Sequence, residues 1–326
     1  MKIWRFTKFV AVATVTSIQL LVTSSSATNP VPRTPIVTVS STTLPNTAAT
    51  LAFSPIGSVA GTPATATAVP PTPNEKSVHF FDYDRTVPLD IQKISVEDHN
   101  GVAVHDITYG AYSPQYGFPI KGRMSAYLAK PSGTRPFAGV VFMHWLGETN
   151  GDRSEFLEEA VMLANKGVVS LLIEGLFPWH VSPSSYEADR VQVINQVIEL
   201  RRALDVLLSQ PEVDPQRIGY VGHDYGAMFG GILAGVDKRV KAYVLMAGMG
   251  NFGDWSLTYW PVTGSKSRKE YRDAMADVDP IGYIKYAAPA ALFFQFAQND
   301  FYISEEVAKQ FYDAGSNPKQ VEWYNT

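Results

Sequence analysis

The residues best placed to do chemistry are Gly222-His223-Asp224-Tyr225-Gly226, set between an apolar run at Ile218 to Val221 and a small-residue stretch opening at Ala227. Glycines two before and two after a central residue let a chain turn abruptly from strand into helix. The central residue is then strained, and a side chain at Gly222 or Gly226 would collide with neighbouring backbone. Such a turn lifts Asp224 above a strand end and aims the N–H of Tyr225 at charge developing beside it. A carboxylate placed there is a candidate nucleophile. Attack on an ester carbonyl would give an anhydride, whereas attack on an epoxide or a carbon–halogen bond gives an alkyl-enzyme ester that water can cleave. Gly-x-Asp-x-Gly alone is a weak pattern, shared with ordinary glycine turns that carry a solvated aspartate. Its setting between strand and helix favours the elbow.

The elements that must hold this turn read as an α/β chain. Strands are expected at Ile91–Val96, Val102–Tyr109 and Gly122–Ala129, with Asn100-Gly101 turning the first into the second. Apolar runs at Ala138–Met143, Val168–Ile173, Ile218–Val221, Ala242–Ala247, Ala290–Phe296 and Gln320–Tyr324 follow, with helices between them. Phe156, Leu157, Ala160, Val161 and Ala164 share one helical face, closed by Gly167. Tyr186–Leu208 reads as a long amphipathic helix with Glu187 and Asp189 in its first turn and Pro211 beyond its end. Strand–helix alternation of this kind builds a mostly parallel sheet covered on both faces, with ligands at the carboxyl ends of its strands.

From Gly122 to Thr326 the chain resembles the α/β-hydrolase superfamily, and within it the dienelactone-hydrolase-like branch. The resemblance rests on His144-Trp145-Leu146-Gly147 at a strand end, the elbow, the strand running to Gly248, and Gln298-Asn299-Asp300. In that branch the elbow carries Ser or Cys. The Gly-His-Asp-x-Gly form is instead similar to epoxide hydrolases and haloalkane dehalogenases. The resemblance implies an eight-stranded, mostly parallel sheet with helices on both faces. It also implies Asp224 as nucleophile, the backbone N–H of Tyr225 and of Trp145 or Leu146 as oxyanion hole, and Asp300 as the acid that orients a histidine. Ser304 offers a competing reading, in which it caps the next helix and Asp300 is only a loop residue. Aspartate-type relatives insert a helical cap after the sixth strand; Gly248–Pro289 is short for one, with Trp255, Tyr259 and Trp260 as its pocket candidates.

The superfamily places its histidine after the last strand, yet the six histidines are His79, His99, His105, His144, His180 and His223. None follows Asp300. His144 and His180 fall on loops beside the expected cleft and are candidate pocket residues, while His223 is expected to pack. Phe177, Trp179 and Tyr302 are further aromatics on loops at strand ends. With nothing but Asn325 and Thr326 after Tyr324, the last helix is apparently missing. The expectation is a chain cut just before its catalytic histidine.

The remaining composition bounds the partners. A net charge of -4 and a pI near 5.9 offer no basic field for nucleic acid, so the expected partner is a small molecule. No metal-ligand spacing or Gly-x-Gly-x-x-Gly motif appears, and no cofactor is expected. Residues 1–27 read as a secretory signal: Lys2, Arg5 and Lys8, then Phe9–Val22, then Ser25-Ser26-Ala27. The apolar run falls short of the roughly 20 residues that span a bilayer. Residues 28–75, rich in Thr, Pro, Ala and Ser, read as a disordered linker, and 76–326 as the folded domain. Export, with no cysteine in the chain, fits a secreted or surface protein of bacterial source. The alternative function is a surface-tethered binding domain that kept the fold and lost the chemistry.

Overall fold

Runs of apolar residues with no polar face form the centre of the sheet. β4 (Phe137–Met143) and β5 (Val168–Ile173) are buried at every position, which demands cover on both faces. β6 (Val213–His223), β7 (Ala242–Met246), β8 (Ala291–Ala297) and β9 (Lys319–Tyr324) continue the sheet, each parallel to its neighbour. β1 (Gln92–His99), β2 (Val102–Gly110) and β3 (Arg123–Lys130) form an antiparallel flank that joins the rest through β5. The order is β1-β2-β3-β5-β4-β6-β7-β8-β9. Nine strands therefore stand where eight were expected. β1, with almost no buried side chain, extends the edge, and its hairpin turns on Asn100 (φ 57°) and Gly101 (φ 85°), the left-handed pair such a turn requires.

This computed structural model describes residues 78–112, 122–134, 136–146, 152–175, 186–259 and 267–325. The expected signal segment and linker lie outside them. The helices are α1 (Leu157–Ala164), α2 (Tyr186–Leu208), α3 (Tyr225–Val236), α4 (Phe252–Tyr259), α5 (Arg268–Met275) and α6 (Glu305–Ala314). α3 is buried from Tyr225 to Gly235, as a helix packed directly on the sheet behind an elbow must be. α2 buries Val193, Val197, Leu200, Leu204 and Leu207, and it also buries Gln192, Gln196, Glu199 and Arg202. Its inner face is thus more polar than a simple amphipathic reading implies. The Arg202 guanidinium is fully buried and donates to the carbonyls of Gly110 and Pro88, which fastens the segment before β1 onto α2.

After β4 the chain proceeds to β5 on one side, whereas β6 lies on the other side of β4. Connections that diverge from adjacent strand ends leave a crevice between them. The elbow follows β6 and the loop His144–Leu146 follows β4, so both open onto it.

Candidate active site

Backbone geometry at the elbow is the strained form that its glycines allow. Asp224 sits at φ 52°, ψ −111°, in a region costing a non-glycine residue about 1–3 kcal/mol. A Cβ at Gly222 would fall on the Gly226 carbonyl and within 2.7 Å of the Ala227 nitrogen. One at Gly226 would fall on the Met143 carbonyl at the end of β4. The Asp224 N–H donates to Met246 O at 2.8 Å, and its carbonyl accepts from Met228 N at 3.0 Å in the first turn of α3. Strand and helix thereby grip the turn from both sides.

The side chain of Asp224 faces two backbone donors. Oδ2 accepts from the Leu146 N–H at 3.2 Å, and the Tyr225 N–H also bonds the carboxylate. Burial pushes this carboxyl up to about 7, and the charge of Asp300 adds to the rise. His223 and the two N–H groups oppose it without cancelling it. Of the two N–H groups on this loop expected near the elbow, that of Leu146 meets the Asp224 carboxylate, whereas that of Trp145 donates to Glu155 Oε2 at 2.9 Å.

His144, a candidate pocket residue by its loop position, is buried and hydrogen-bonded through both ring nitrogens. Its Nε2 accepts from the Gly175 N–H at 2.8 Å, so the ring proton is on Nδ1, which donates to Trp145 O at 2.8 Å. With both nitrogens engaged and 1% of its surface exposed, it is a strut between the ends of β4 and β5. Trp255, another candidate pocket residue, packs against α3. It is buried with its ring edge-on to Tyr225 at 4.6 Å, in a cluster with Phe229 and Phe252 that backs α3. Tyr259 ends α4, but its side chain, like Trp260, His180, Phe177 and Trp179, lies outside the described residues.

Asp300 lies on the loop after β8, where its Oδ1 accepts the N–H groups of Tyr302 at 2.7 Å and Ile303 at 3.1 Å. Ser304 caps α6 through the Val307 N–H, so the loop uses Ser304 as a cap and Asp300 as a turn-former at once. The charge of Asp300 is felt at both Asp224 and His223. Among the described residues no histidine bonds to Asp300.

The residue that sequence reading passed over is Glu155. It holds His223 Nδ1 at 2.6 Å with one oxygen and the Trp145 N–H with the other. His223 is buried, which by itself would lower its pKa; the charge and hydrogen bond of Glu155, aided by Asp224 and Asp300, raise it instead. Glu155 sits just ahead of α1, where an acid ordinarily serves the helix dipole, and no spacing rule links position 155 to 223. No group of three or more His, Cys, Asp or Glu among the described residues is arranged to hold a metal ion.

No protein-family model and no curated protein matches the chain in sequence. Solved structures do match it. An acetyl xylan esterase from a Paenibacillus species superposes with a TM-score of 0.62 at 16% identity, over 77% of this chain and 85% of that one. Acetyl xylan esterase 1 from a Thermoanaerobacterium species gives 0.58 at 13% identity, over 79% and 89%. A glucuronoyl esterase from Solibacter usitatus gives 0.50 at 14% identity, over 73% and 78%. The chain has the α/β-hydrolase fold. At such identities the likeness carries the fold and says nothing of the substrate. Asp224 follows β6 and Asp300 follows β8, both strands of the parallel part of the sheet, so the two residues reach one sheet edge from well-separated parts of the chain.

Proposed function

We propose that this chain is a cofactor-free hydrolase in which Asp224 opens a small-molecule C–O or carbon–halogen bond through an alkyl-enzyme ester. The observation that carries the reading is the seat of the Asp224 carboxylate, held by the N–H groups of Leu146 and Tyr225. In a serine-type esterase those donors must stand free for the carbonyl oxygen of the substrate. Here the carboxylate of the enzyme occupies them, with Oδ2 on the Leu146 N–H, and Oδ1 is the oxygen assigned to attack carbon. When water later adds to the ester carbon of Asp224, the oxyanion develops on the oxygen already facing the donors. A single such donor contributes about 3–4 kcal/mol to a transition state. Esters remain within the substrate class implied by the resemblance to the dienelactone-hydrolase-like branch, but an anhydride route makes them the poorer substrates.

Multiple turnover in oxygen-18 water with 1-bromobutane, 1,2-epoxybutane and 4-nitrophenyl acetate tests the assignment. Label is expected in the Asp224 peptide with the first two. Turnover without label there would remove Asp224 from the nucleophile role. A second reading, a binding domain without chemistry, is favoured by the raised pKa of Asp224, which leaves about half the carboxyl protonated at neutral pH. Turnover of any of the three probes that Asp224→Ala abolishes rules that reading out.

A further inference from the structure

The direction of the Leu146 N–H is set one residue earlier. A peptide unit is planar and trans, so the Leu146 N–H points opposite to the Trp145 carbonyl, while the Trp145 N–H belongs to the unit before it. Both units are gripped. His144 Nδ1 donates to the Trp145 carbonyl at 2.8 Å, and Glu155 Oε2 accepts the Trp145 N–H at 2.9 Å. With the peptide planes on either side of Trp145 fixed, its φ and ψ are fixed too, and the Leu146 N–H faces Asp224 Oδ2 at 3.2 Å. Glu155 reaches the elbow as well: its Oε1 lies 2.6 Å from His223 Nδ1, a hydrogen bond whichever of the two carries the proton. One side chain thereby spans the loop after β4 and the residue before Asp224.

Glu155 is itself held to the sheet, with only 5% of its side chain exposed. Its N–H donates to Asp152 O at 3.1 Å, in a turn that Asp152 Oδ1 closes on the Ser154 N–H at 2.7 Å. On one side of it Arg153 forks onto Asp106 of β2 at 2.7 and 3.1 Å, its guanidinium 4.0 Å over the Tyr127 ring of β3. On the other side the buried ring of Phe156 lies 5.2 Å from that of Phe142 in β4. We propose that Glu155 is a positioning residue that holds the loop after β4 in register with the elbow, so that the Leu146 N–H meets Asp224; its consequence for rate rests on Asp224 acting as the nucleophile. In this role Glu155 moves no proton and touches no substrate. Its effect passes through Trp145 to Leu146. Without its oxygens the Trp145 N–H is released, Trp145 can turn, and the Leu146 N–H swings off the oxygen on which the oxyanion develops. Misplacing such a group by about 1 Å costs about 10²-fold in rate.

Amide hydrogen exchange of the full chain, resolved to single residues, tests the clamp without any substrate. In Glu155→Ala the Trp145 and Leu146 amides are expected to exchange at least about tenfold faster than in wild type, while those of Leu171 and Leu172 in β5 keep their rates. His223→Phe cuts the elbow arm and keeps a ring beside the Trp145 indole, so it serves where Glu155→Ala fails to fold. There the Leu146 amide is expected to exchange faster and the Trp145 amide to stay protected. Wild-type protection of Leu146 in both variants overturns the proposal, as does equal acceleration across loop and β5, the mark of a general loss of stability. The second readout is the ester at Asp224. With 1-bromobutane, Glu155→Ala is expected to form it and to hydrolyse it about 10²-fold more slowly, so that adduct accumulates and kcat and KM fall together. A fall in kcat alone, without adduct, reports a smaller folded fraction and overturns the positioning role. Absence of oxygen-18 label in wild-type Asp224 instead marks failure of the aspartate reading; the exchange rates do not depend on it, so the two failures are read separately.

Discussion

Asp224→Asn should make the folded protein more stable at alkaline pH. The folded carboxyl titrates at about 7 against 3.8 for the free side chain, so the fold binds its proton more tightly than the unfolded chain does. The ionised form therefore costs stability. That cost is complete above about pH 7, and it disappears as pH falls from about 7 towards 3.8. Three pKa units correspond to about 4 kcal/mol in a fully buried site. The residue is largely shielded but keeps part of its surface in solvent, and screening there reduces the expected gain to about 2 kcal/mol at pH 8. Asparagine offers Leu146 and Tyr225 a carbonyl oxygen in place of the carboxylate, so the substitution removes charge without orphaning the donors. Urea denaturation of wild type and variant at pH 8, 5 and 4 reads the difference directly. It should fall by more than half between pH 8 and 5 and be small at pH 4. A variant no more stable than wild type at pH 8, or one whose advantage ignores pH, would refute a desolvated, proton-seeking Asp224.

Turnover of any probe that reacts should rise with pH through about 7 as Asp224 ionises, and a pH–rate profile of kcat/KM that is flat across pH 6–8 contradicts that. Gly226→Ala places a methyl group on the Met143 carbonyl, so a loss of at least about 2–3 kcal/mol in urea denaturation is expected; a neutral result would mean the β4–elbow contact is looser than described. Arg202→Met removes a fully buried charge bonded to the Gly110 and Pro88 carbonyls, and a loss of about 3–5 kcal/mol should appear with faster proteolysis ahead of β1, whereas unchanged protease resistance there would argue against the anchor.

The sheet was legible because its signal is periodic. α2 spans the range its apolar spacing indicates, and β4 and β5 read as unbroken apolar runs because both faces are covered. β6 begins at Val213, well ahead of the apolar run at Ile218, because its early residues pair with β4 through backbone despite polar side chains, across a register shift near Phe137. The elbow was legible for another reason: each glycine answers to a single steric demand. Pairings that depend on rotamer and on distant loops were not legible. A histidine at a strand end does not reveal whether it is a strut, as His144 is, or held by a carboxylate 68 positions away, as His223 is. Choosing between Trp145 and Leu146 as donor likewise required the Glu155 contact, which no local pattern encodes.

Asp224 concentrates two unfavourable features at one position, and the nature of each bears on function. Its φ of 52° costs about 1–3 kcal/mol, less in asparagine than in most residues, because a short polar side chain tolerates left-handed backbone. Its charge, largely shielded from solvent, is a further cost at neutral and higher pH, which the neighbouring His223 and the two N–H groups offset only in part. Asparagine would satisfy the same N–H groups, relieve the charge and suit the backbone at least as well. Structural stability alone therefore favours Asn over Asp at 224. What asparagine lacks is an anionic oxygen able to attack carbon and later be replaced by one from water. The carboxylate is the feature of this elbow that packing does not require and nucleophilic chemistry does.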